Sequence, residues 1–252
     1  MRKRTRNPTL LTLLLLFAAF NGTGSGADWA NWRGPEVNGT SAETGLLSEW
    51  SRDGENLLWR HDFVGRSTPV AVRGRVCANG RAGEGIERQE MVTCFDAETG
   101  EPLWEYRFNV YQTTVPWTRV GWANLTADDD TGYIYLQGVG GLFFCFDSAD
   151  GRIVWSRNFI EEFGFMEGYG GRTQTPAIDE DRVIITFSNT SWGSQAKPLH
   201  RTFAFDKGSG ELIWSSTPGT FQVDKNTQST PSVAVIGGQR LVVHGNGDGS
   251  IY

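Results

Sequence analysis

The sequence predicts an all-β fold built from similar units that repeat along the chain. One motif, Phe-Asp-x-x-x-Gly-x-x-x-Trp, occurs three times and begins at Phe95, Phe146 and Phe205. Short alternating or β-branched runs lie between the motifs, and the chain contains 32 glycines. No stretch after residue 27 has the periodicity of a long amphipathic helix. Short strands at regular spacing, separated by glycine-rich turns, are typical of β-repeat proteins.

Each copy of the motif has the chemistry of a tight turn that leads into a strand. The aspartate can accept hydrogen bonds from backbone N–H groups just ahead of it, and the glycine can adopt a positive φ. The tryptophan suits a half-buried strand, and its indole N–H needs one partner. We expect the tryptophans to pack on neighbouring units, with Trp59 as a fourth copy. The motif residues assigned a structural role are Asp96, Gly100, Trp104, Asp147, Gly151, Trp155, Asp206, Gly210 and Trp214.

A second sequence marker recurs at a spacing similar to that of the motif, and each copy begins the next β-rich run. Thr-Pro occurs at residues 68–69, 175–176 and 230–231, and Asn-Leu occupies residues 124–125 in the remaining unit. The second residues of these pairs, at 69, 125, 176 and 231, lie 56, 51 and 55 residues apart. Units of roughly 50 residues with four short strands each predict the blades of a β-propeller, and about four blades are present.

These motifs resemble the pyrroloquinoline-quinone-like repeat of the quinoprotein-like β-propellers. The opening, Asp28 to Pro35 followed by Asn38-Gly39, is similar to the start of secreted bacterial proteins with this repeat. The resemblance covers residues 28–252 and implies an eight-bladed ring, so that the propeller is expected to be C-terminally incomplete. The same family contains alcohol dehydrogenases and a non-catalytic outer-membrane assembly propeller, so the fold does not define an activity.

The first 27 residues have the features of a signal peptide. Four basic residues precede an apolar run from Leu10 to Phe20, and Ser25-Gly26-Ala27 predicts cleavage before Asp28. The run is too short to span a bilayer of about 30 Å as a helix. An uncleaved N-terminal anchor is the alternative. The remaining chain is expected to be exported to the periplasm or the cell exterior, without a membrane-spanning segment.

Charge and cysteine content restrict the possible partners. The formal net charge of −6 becomes −10 without residues 1–27, which carry four basic and no acidic side chains. Such a chain is expected to bind neither nucleic acid nor anionic membranes. Cys77 and Cys94 could pair across a hairpin, or both could be small buried apolar residues, and Cys145 completes an odd number. No cluster of Cys and His has the spacing of a zinc site, so no metal ligand is assigned.

The long connections that follow the tryptophan strands are the candidate binding face. They cover about residues 111–122, 161–173 and 217–228, and equivalent connections lie on one face of a propeller. Aromatic and arginine side chains are enriched at recognition surfaces. The alternative is that many of these residues belong to the rims of core strands. The candidate residues are Tyr111, Trp117, Arg119, Trp122, Phe163, Phe165, Tyr169, Arg172 and Phe221.

Two functions are compatible with these features. The first is an exported, non-catalytic propeller that binds or scaffolds a protein, a glycan or a small ligand. The alternative, implied by the resemblance, is an alcohol or sugar dehydrogenase that uses pyrroloquinoline quinone and calcium. In that branch a tryptophan and a disulfide between adjacent cysteines hold the quinone, and Glu, Asn and Asp hold the calcium ion. No two cysteines are adjacent here, so no catalytic or cofactor-binding residue is assigned.

Overall fold

The computed structural model of the chain describes residues 28–110, 115–166, 174–189, 199–217 and 229–252. The signal peptide predicted over residues 1–27 lies outside them. Within the described residues the regular secondary structure is mostly antiparallel β-sheet, with one short α-helix, α1 (Phe159–Phe163), and two turns of 3-10 helix. No helix in this part of the chain is long and apolar enough to cross a membrane.

Three sheets of the same topology follow one another, and each strand pairs with the next strand along the chain. Blade 1 contains β1 (Val70–Val72), β2 (Arg75–Ala82), β3 (Gln89–Asp96) and β4 (Pro102–Asn109). Blade 2 contains β5 (Thr126–Asp128), β6 (Tyr133–Gln137), β7 (Leu142–Asp147) and β8 (Ile153–Asn158). Blade 3 contains β10 (Ala177–Asp179), β11 (Arg182–Asn189), β12 (Leu199–Asp206) and β13 (Leu212–Ser216), and β9 (Phe165–Met166) pairs with β11.

A fourth blade begins with the antiparallel pair β14 (Ser232–Ile236) and β15 (Gln239–Val243). Each of the four second markers immediately precedes the first strand of a blade, as the sequence predicts. The predicted architecture is therefore confirmed: the chain folds as successive four-stranded blades of a β-propeller.

The turn of the repeated motif forms as its residue types predict. Asp96 Oδ1 accepts hydrogen bonds from the backbone N–H groups of Thr99 and Glu98, at 2.9 and 3.0 Å. Asp206 makes the equivalent bonds with Ser209 and Gly208, at 2.7 and 3.0 Å. The N–H groups stabilise the ionised carboxylates, so the pKa values of both aspartates lie below their ordinary range.

Three of the repeated tryptophans, Trp59, Trp104 and Trp155, each dock on the turn of the next unit. Trp104 Nε1 donates to the carbonyl oxygen of Ser148 at 2.9 Å, and the indole covers Gly151. A Cβ atom on Gly151 would lie 2.6 Å from the indole, and its φ of 75° disfavours any other residue. The same contacts join Trp59 to Gly100 and Ala97, and Trp155 to Gly210 and Lys207. Trp59 therefore takes the predicted role of a fourth copy, although residues 57–64 do not form a regular strand.

The hydrophobic cores lie between the blades. One core joins side chains of blades 1 and 2, including Val92, Phe108, Leu125, Leu136 and Phe146. A second core joins blades 2 and 3, including Tyr135, Phe143, Ile185, Phe203 and Phe205. Each blade thus buries both of its faces only when neighbouring blades cover them.

The cysteine pair of blade 1 is a disulfide. Cys77 on β2 and Cys94 on β3 are directly opposite each other in the antiparallel register, and the bond joins them. The interpretation of both as free buried thiols is therefore wrong. Cys145 takes the place of Cys94 in blade 2, faces Tyr135 instead of a cysteine, and is free and buried. Burial raises the pKa of the Cys145 thiol to about 12.

The four second markers are linked to one another by side-chain hydrogen bonds. Asn124 Oδ1 accepts from the Thr68 N–H at 2.9 Å, and Asn124 Nδ2 donates to Thr175 Oγ1 at 3.1 Å. The Thr175 N–H in turn donates to Thr230 Oγ1 at 3.4 Å. We call Thr68, Asn124, Thr175 and Thr230 the marker belt. It joins the starts of all four blades.

Candidate binding surface

The structure brings together one group of the predicted binding residues. Trp117, Arg119 and Trp122 lie in the connection between β4 and β5. Four of the nine candidates lie outside the described residues: Tyr111, Tyr169, Arg172 and Phe221.

Phe163 and Phe165 pack within the core between blades 2 and 3. The Phe163 ring lies 4.9 Å from that of Phe203, and the Phe165 ring lies 5.6 Å from that of Phe187, between ring centroids. Both residues therefore fit the alternative interpretation, in which the candidate residues belong to the rims of core strands. Among the described residues of the three predicted connections, those of the first form a partly exposed surface.

The connection from blade 1 to blade 2 is anchored by a small apolar cluster. Val115 and Val120 pack with Val139 of blade 2, and Trp117 and Val110 lie against them. Between the two anchoring valines, residues Trp117–Arg119 form one turn of 3-10 helix. The apolar cluster holds one side of Trp117 against the protein, and its ring remains partly exposed.

Two glycines allow this connection to approach blade 1 closely. Gly121 has a φ of 75°, and a Cβ atom there would lie 2.5 Å from the backbone of Gly80 on β2. The carbonyl oxygen of Gly121 accepts from the Arg66 N–H at 3.1 Å. The backbone contact between Gly121 and Gly80 thus fixes the connection to β2 and leaves no room for a side chain. The hydrogen bond between Arg66 and Gly121 fixes it to the segment before β1.

Four guanidinium groups lie over the two tryptophan rings. Arg81 and Arg88 lie over Trp117, with 5.5 and 5.4 Å between guanidinium carbon and ring centroid. Arg66 and Arg119 lie over Trp122, at 5.4 and 5.5 Å. These distances fall within the range of a cation–π attraction. We call these six residues the Trp–Arg surface.

The arginines reach the tryptophans from separate elements. Arg81 is the penultimate residue of β2, and its Nη1 donates to the Thr118 carbonyl oxygen at 3.1 Å. Arg88 directly precedes β3, and Arg66 precedes β1. Among the described residues, no ion pair involves Arg66, Arg81 or Arg88. Two acidic residues at the tip of the same hairpin, Glu84 and Glu87, are exposed.

A buried carboxyl group lies beneath the Trp–Arg surface. Glu90 on β3 is fully buried, and its Oε2 accepts from the Val139 N–H at 2.7 Å. Its Oε1 lies 3.4 Å from Asn79 Nδ2, which also donates to the Ala123 carbonyl oxygen. Burial raises the pKa of Glu90 to about 7, so at neutral pH this carboxyl carries only part of a negative charge. It therefore offsets less of the positive charge of the arginines than a fully ionised glutamate would.

The sequence pointed to Trp117, Arg119 and Trp122 but missed Arg66, Arg81 and Arg88. These three arginines lie in a different unit from the tryptophans. Only the close approach of the connection to blade 1 brings the arginines and the tryptophans together. One sequence signal could have found two of them. Arg81 and Arg88 flank the tip of a hairpin at its β2 and β3 ends, and so lie near each other in an antiparallel pair.

The described residues do not fit the quinone and calcium of the dehydrogenase branch. The disulfide joins facing strands instead of adjacent residues, and both sulfurs lie in the buried core of blade 1. They cannot cover the face of a planar ligand. Among the described residues, no three Asp, Glu, His or Cys side chains converge as a metal site.

Blades of this topology, joined by tryptophan–glycine docking, define a repeat propeller, and the connection between the first two blades carries the partly exposed Trp–Arg surface. The chain matches the family model described as "Outer membrane protein assembly factor BamB" over residues 39–194 and again over residues 88–252. Each match spans more than half of the chain, so the chain belongs to this family of pyrroloquinoline-quinone-like propellers. No protein of curated function is similar to it in sequence.

Several solved structures are similar to this chain at low sequence identity. A europium-containing methanol dehydrogenase has a TM-score of 0.42 and 16% identity, with 62% of this chain and 25% of the enzyme covered. The quinohemoprotein alcohol dehydrogenase from Comamonas testosteroni has a TM-score of 0.38 and 21% identity, with coverage of 62% and 21%. BamB from Moraxella catarrhalis has a TM-score of 0.38 and 16% identity, with coverage of 75% and 62%. The chain thus spans less than two thirds of each of these proteins.

Proposed function

We propose that this chain is an exported, non-catalytic propeller module that binds a protein partner through the Trp–Arg surface. The observation that carries the proposal is the pair of partly exposed tryptophans, each with two guanidinium groups over its ring. Tryptophan and arginine are the residue types most enriched among those that dominate the binding energy of protein interfaces.

The rigidity of the surface supports this proposal. The apolar cluster fixes one side of Trp117, and the close contact of Gly121 with Gly80 fixes the loop backbone. The cation–π contacts restrict the long arginine side chains before any partner arrives. A partner therefore encounters groups that are already ordered, which lowers the entropic cost of binding.

The family and the N-terminal sequence support the remaining parts of the proposal. The description of the family names an assembly factor of outer membrane proteins, that is, a protein that acts on other proteins. The signal peptide proposed for residues 1–27 would export the chain across the inner membrane, to the side on which outer membrane proteins are assembled. Export to the periplasm or the cell exterior, with cleavage before Asp28, is part of the proposal.

A site-specific photo-crosslinker tests the partner-binding role. We would place it at Thr118, an exposed residue between Trp117 and Arg119, in the full chain expressed in a bacterial envelope. We expect a defined crosslinked protein, identified by mass spectrometry. The double variant W117A/R119A should lose this product, because it removes one aromatic ring and one guanidinium group from the surface.

A second tryptophan–arginine pair in the same chain supplies the control. Arg33 lies over the Trp32 ring at 5.6 Å, and neither residue is part of the Trp–Arg surface. The variant W32A/R33A should therefore keep the crosslinked product, and both variants should keep the circular dichroism spectrum of the wild type. Equal crosslinking in the wild type and in W117A/R119A would contradict the proposal.

A further inference from the structure

We infer that the Trp–Arg surface recognises an acidic protein segment, whose carboxylates pair with the guanidinium groups of Arg66, Arg81 and Arg88. This inference rests on the proposed function and names the chemistry of the partner. The first step is the charge balance of the surface. None of these three arginines has an ion-pair partner among the described residues, although acidic residues outnumber basic ones in the chain, 29 to 23.

The second step is the hydrogen-bonding capacity of the arginines. A cation–π contact engages the charge of a guanidinium group and leaves its N–H donors able to form hydrogen bonds. A carboxylate accepts two of these donors in a planar, bidentate pair, which a lysine cannot form. Among the described residues, the Arg81 Nη1 group donates to the Thr118 carbonyl oxygen, and no other hydrogen bond uses the guanidinium donors of Arg66, Arg81 or Arg88.

The third step distinguishes a protein segment from other anions. The negative net charge of the chain repels extended polyanions, such as nucleic acid or an anionic membrane, over distances of about the Debye length, roughly 10 Å. Glu84 and Glu87 lie exposed at the hairpin tip beside Arg81 and Arg88 and would repel the same polyanions. A short segment with a few carboxylates can contact the arginines and avoid these acidic residues.

The fourth step concerns the number of contacts. The guanidinium groups form two pairs, one over Trp117 and one over Trp122. A segment that spans both rings would therefore place at least one carboxylate at each. The exposed parts of the two rings can contact the methylene groups of the Glu or Asp side chains that carry these carboxylates.

Fluorescence anisotropy with a defined probe tests this inference. The probe is a labelled peptide of about ten residues that alternates Glu with Gly, and the matched peptide has Gln in place of every Glu. The purified full chain should bind the Glu peptide about tenfold or more tightly than the Gln peptide. Its affinity should fall as the salt concentration rises from about 50 to 300 mM.

Variants of equal charge separate this surface from general attraction. R66Q/R88Q should weaken binding of the Glu peptide about tenfold, and R66K/R88K about fivefold, since lysine keeps the charge and loses the bidentate pair. R107Q/R152Q removes the same charge from two exposed arginines that pair with Glu105 and Asp147. It should change binding by less than about twofold.

Several outcomes would overturn the inference. They are equal binding of the Glu and Gln peptides, equal weakening by R66Q/R88Q and R107Q/R152Q, or stronger binding to anionic lipid vesicles or duplex DNA than to the Glu peptide. The crosslinking experiment separates this failure from that of the proposed function. If a crosslink at Thr118 depends on Trp117 while the Glu peptide does not bind, the surface binds a partner of different chemistry.

Discussion

Glu90 shows how a single buried residue links two blades and the surface above them. Its carboxyl group accepts a hydrogen bond from Val139 of the next blade and contacts Asn79 of its own blade. Burial raises its pKa from 4.5 to about 7, because removal from water disfavours the charged form more than these hydrogen bonds stabilise it. The protonated form is therefore favoured in the folded protein over a wide range of pH.

This pKa shift predicts a defined dependence of stability on pH. Between about pH 4.5 and 7 the folded state binds a proton at Glu90 that the unfolded state has released, so the free energy of unfolding falls as pH rises. The contribution of Glu90 is fully present below about pH 4.5 and is lost above about pH 7, a total of about 3 kcal/mol. E90Q removes the titrating group and keeps an oxygen that can accept from Val139.

Urea unfolding at about pH 5 and pH 8 measures this effect. The free energy of unfolding should fall less between these pH values for E90Q than for the wild type, and E90Q should be the more stable protein at about pH 8. The control E87Q changes an exposed glutamate of the same hairpin and should keep the wild-type difference. An E90Q protein with the wild-type pH dependence would show that Glu90 is not the group responsible.

At the scale of single residues, the sequence predicts only some members of the Trp–Arg surface. Trp117, Arg119 and Trp122 are close in the chain, so their grouping follows from one connection. Arg66, Arg81 and Arg88 join them only because the segment before β1, the end of β2 and the start of β3 lie beside that connection. Such contacts depend on distances between blades, which the spacing of repeats does not give.

At the scale of the element, the joint between successive blades is a tryptophan that docks on a turn. The turn supplies a glycine under the ring and a carbonyl oxygen for the indole N–H. The indole buries its large surface against the next blade and satisfies its one polar group at the same time. The joint therefore needs the turn backbone to approach the ring more closely than a side chain would allow.

Adding one methyl group at this joint should destabilise the protein. G151A would place a Cβ atom 2.6 Å from the Trp104 ring and would leave alanine at a φ of 75°. We expect a loss of about 3 kcal/mol in the free energy of unfolding, from the steric clash and the backbone strain together. The measurement is equilibrium unfolding in urea.

A second glycine of the same blade provides the control. Gly140 has no atom within 4 Å of the position that a Cβ would take, and its φ is not in the left-handed region. G140A should therefore change the free energy of unfolding by less than about 1 kcal/mol. Similar losses for G140A and G151A would mean that the Trp104 joint is not the cause.

The elements themselves were the most predictable part of the fold. The motif and the second marker together placed the turns and the start of each blade, because both depend on local turn chemistry. The disulfide could not be decided in this way. Cys94 and Cys145 occupy the same motif position, and only the residue opposite, Cys77 in one blade and Tyr135 in the other, determines whether a bond can form.

At the scale of the whole molecule, the marker belt connects the starts of four blades through single side chains. Asn124 is its only described member that bonds to both neighbouring members through its own side chain, since it accepts from Thr68 and donates to Thr175. The sequence showed Asn124 at the place of a threonine in the other units. It did not show that the longer amide can bridge two blades.

Removal of this amide should weaken the assembly of the blades. N124A leaves the Thr68 N–H without its acceptor and Thr175 Oγ1 without its donor, and we expect a loss of about 2 kcal/mol in the free energy of unfolding. Hydrogen exchange should show faster exchange of the Thr68 amide. N109A removes an exposed amide that contacts only the Gln89 side chain among the hydrogen bonds described, and it is the control. Wild-type stability and exchange in N124A would contradict a role for the belt.

The docking of each tryptophan on a main-chain carbonyl has a consequence for how such a chain can change in evolution. The residue that supplies the carbonyl is Ala97, Ser148 or Lys207, so its side chain takes no part in the bond to the indole. That side chain is available for other contacts, as Lys207 shows by its ion pair with Asp128 at 2.8 Å. Duplication of a unit would thus create a working joint at once, and later substitutions at this position could give each blade different neighbours without loss of the joint.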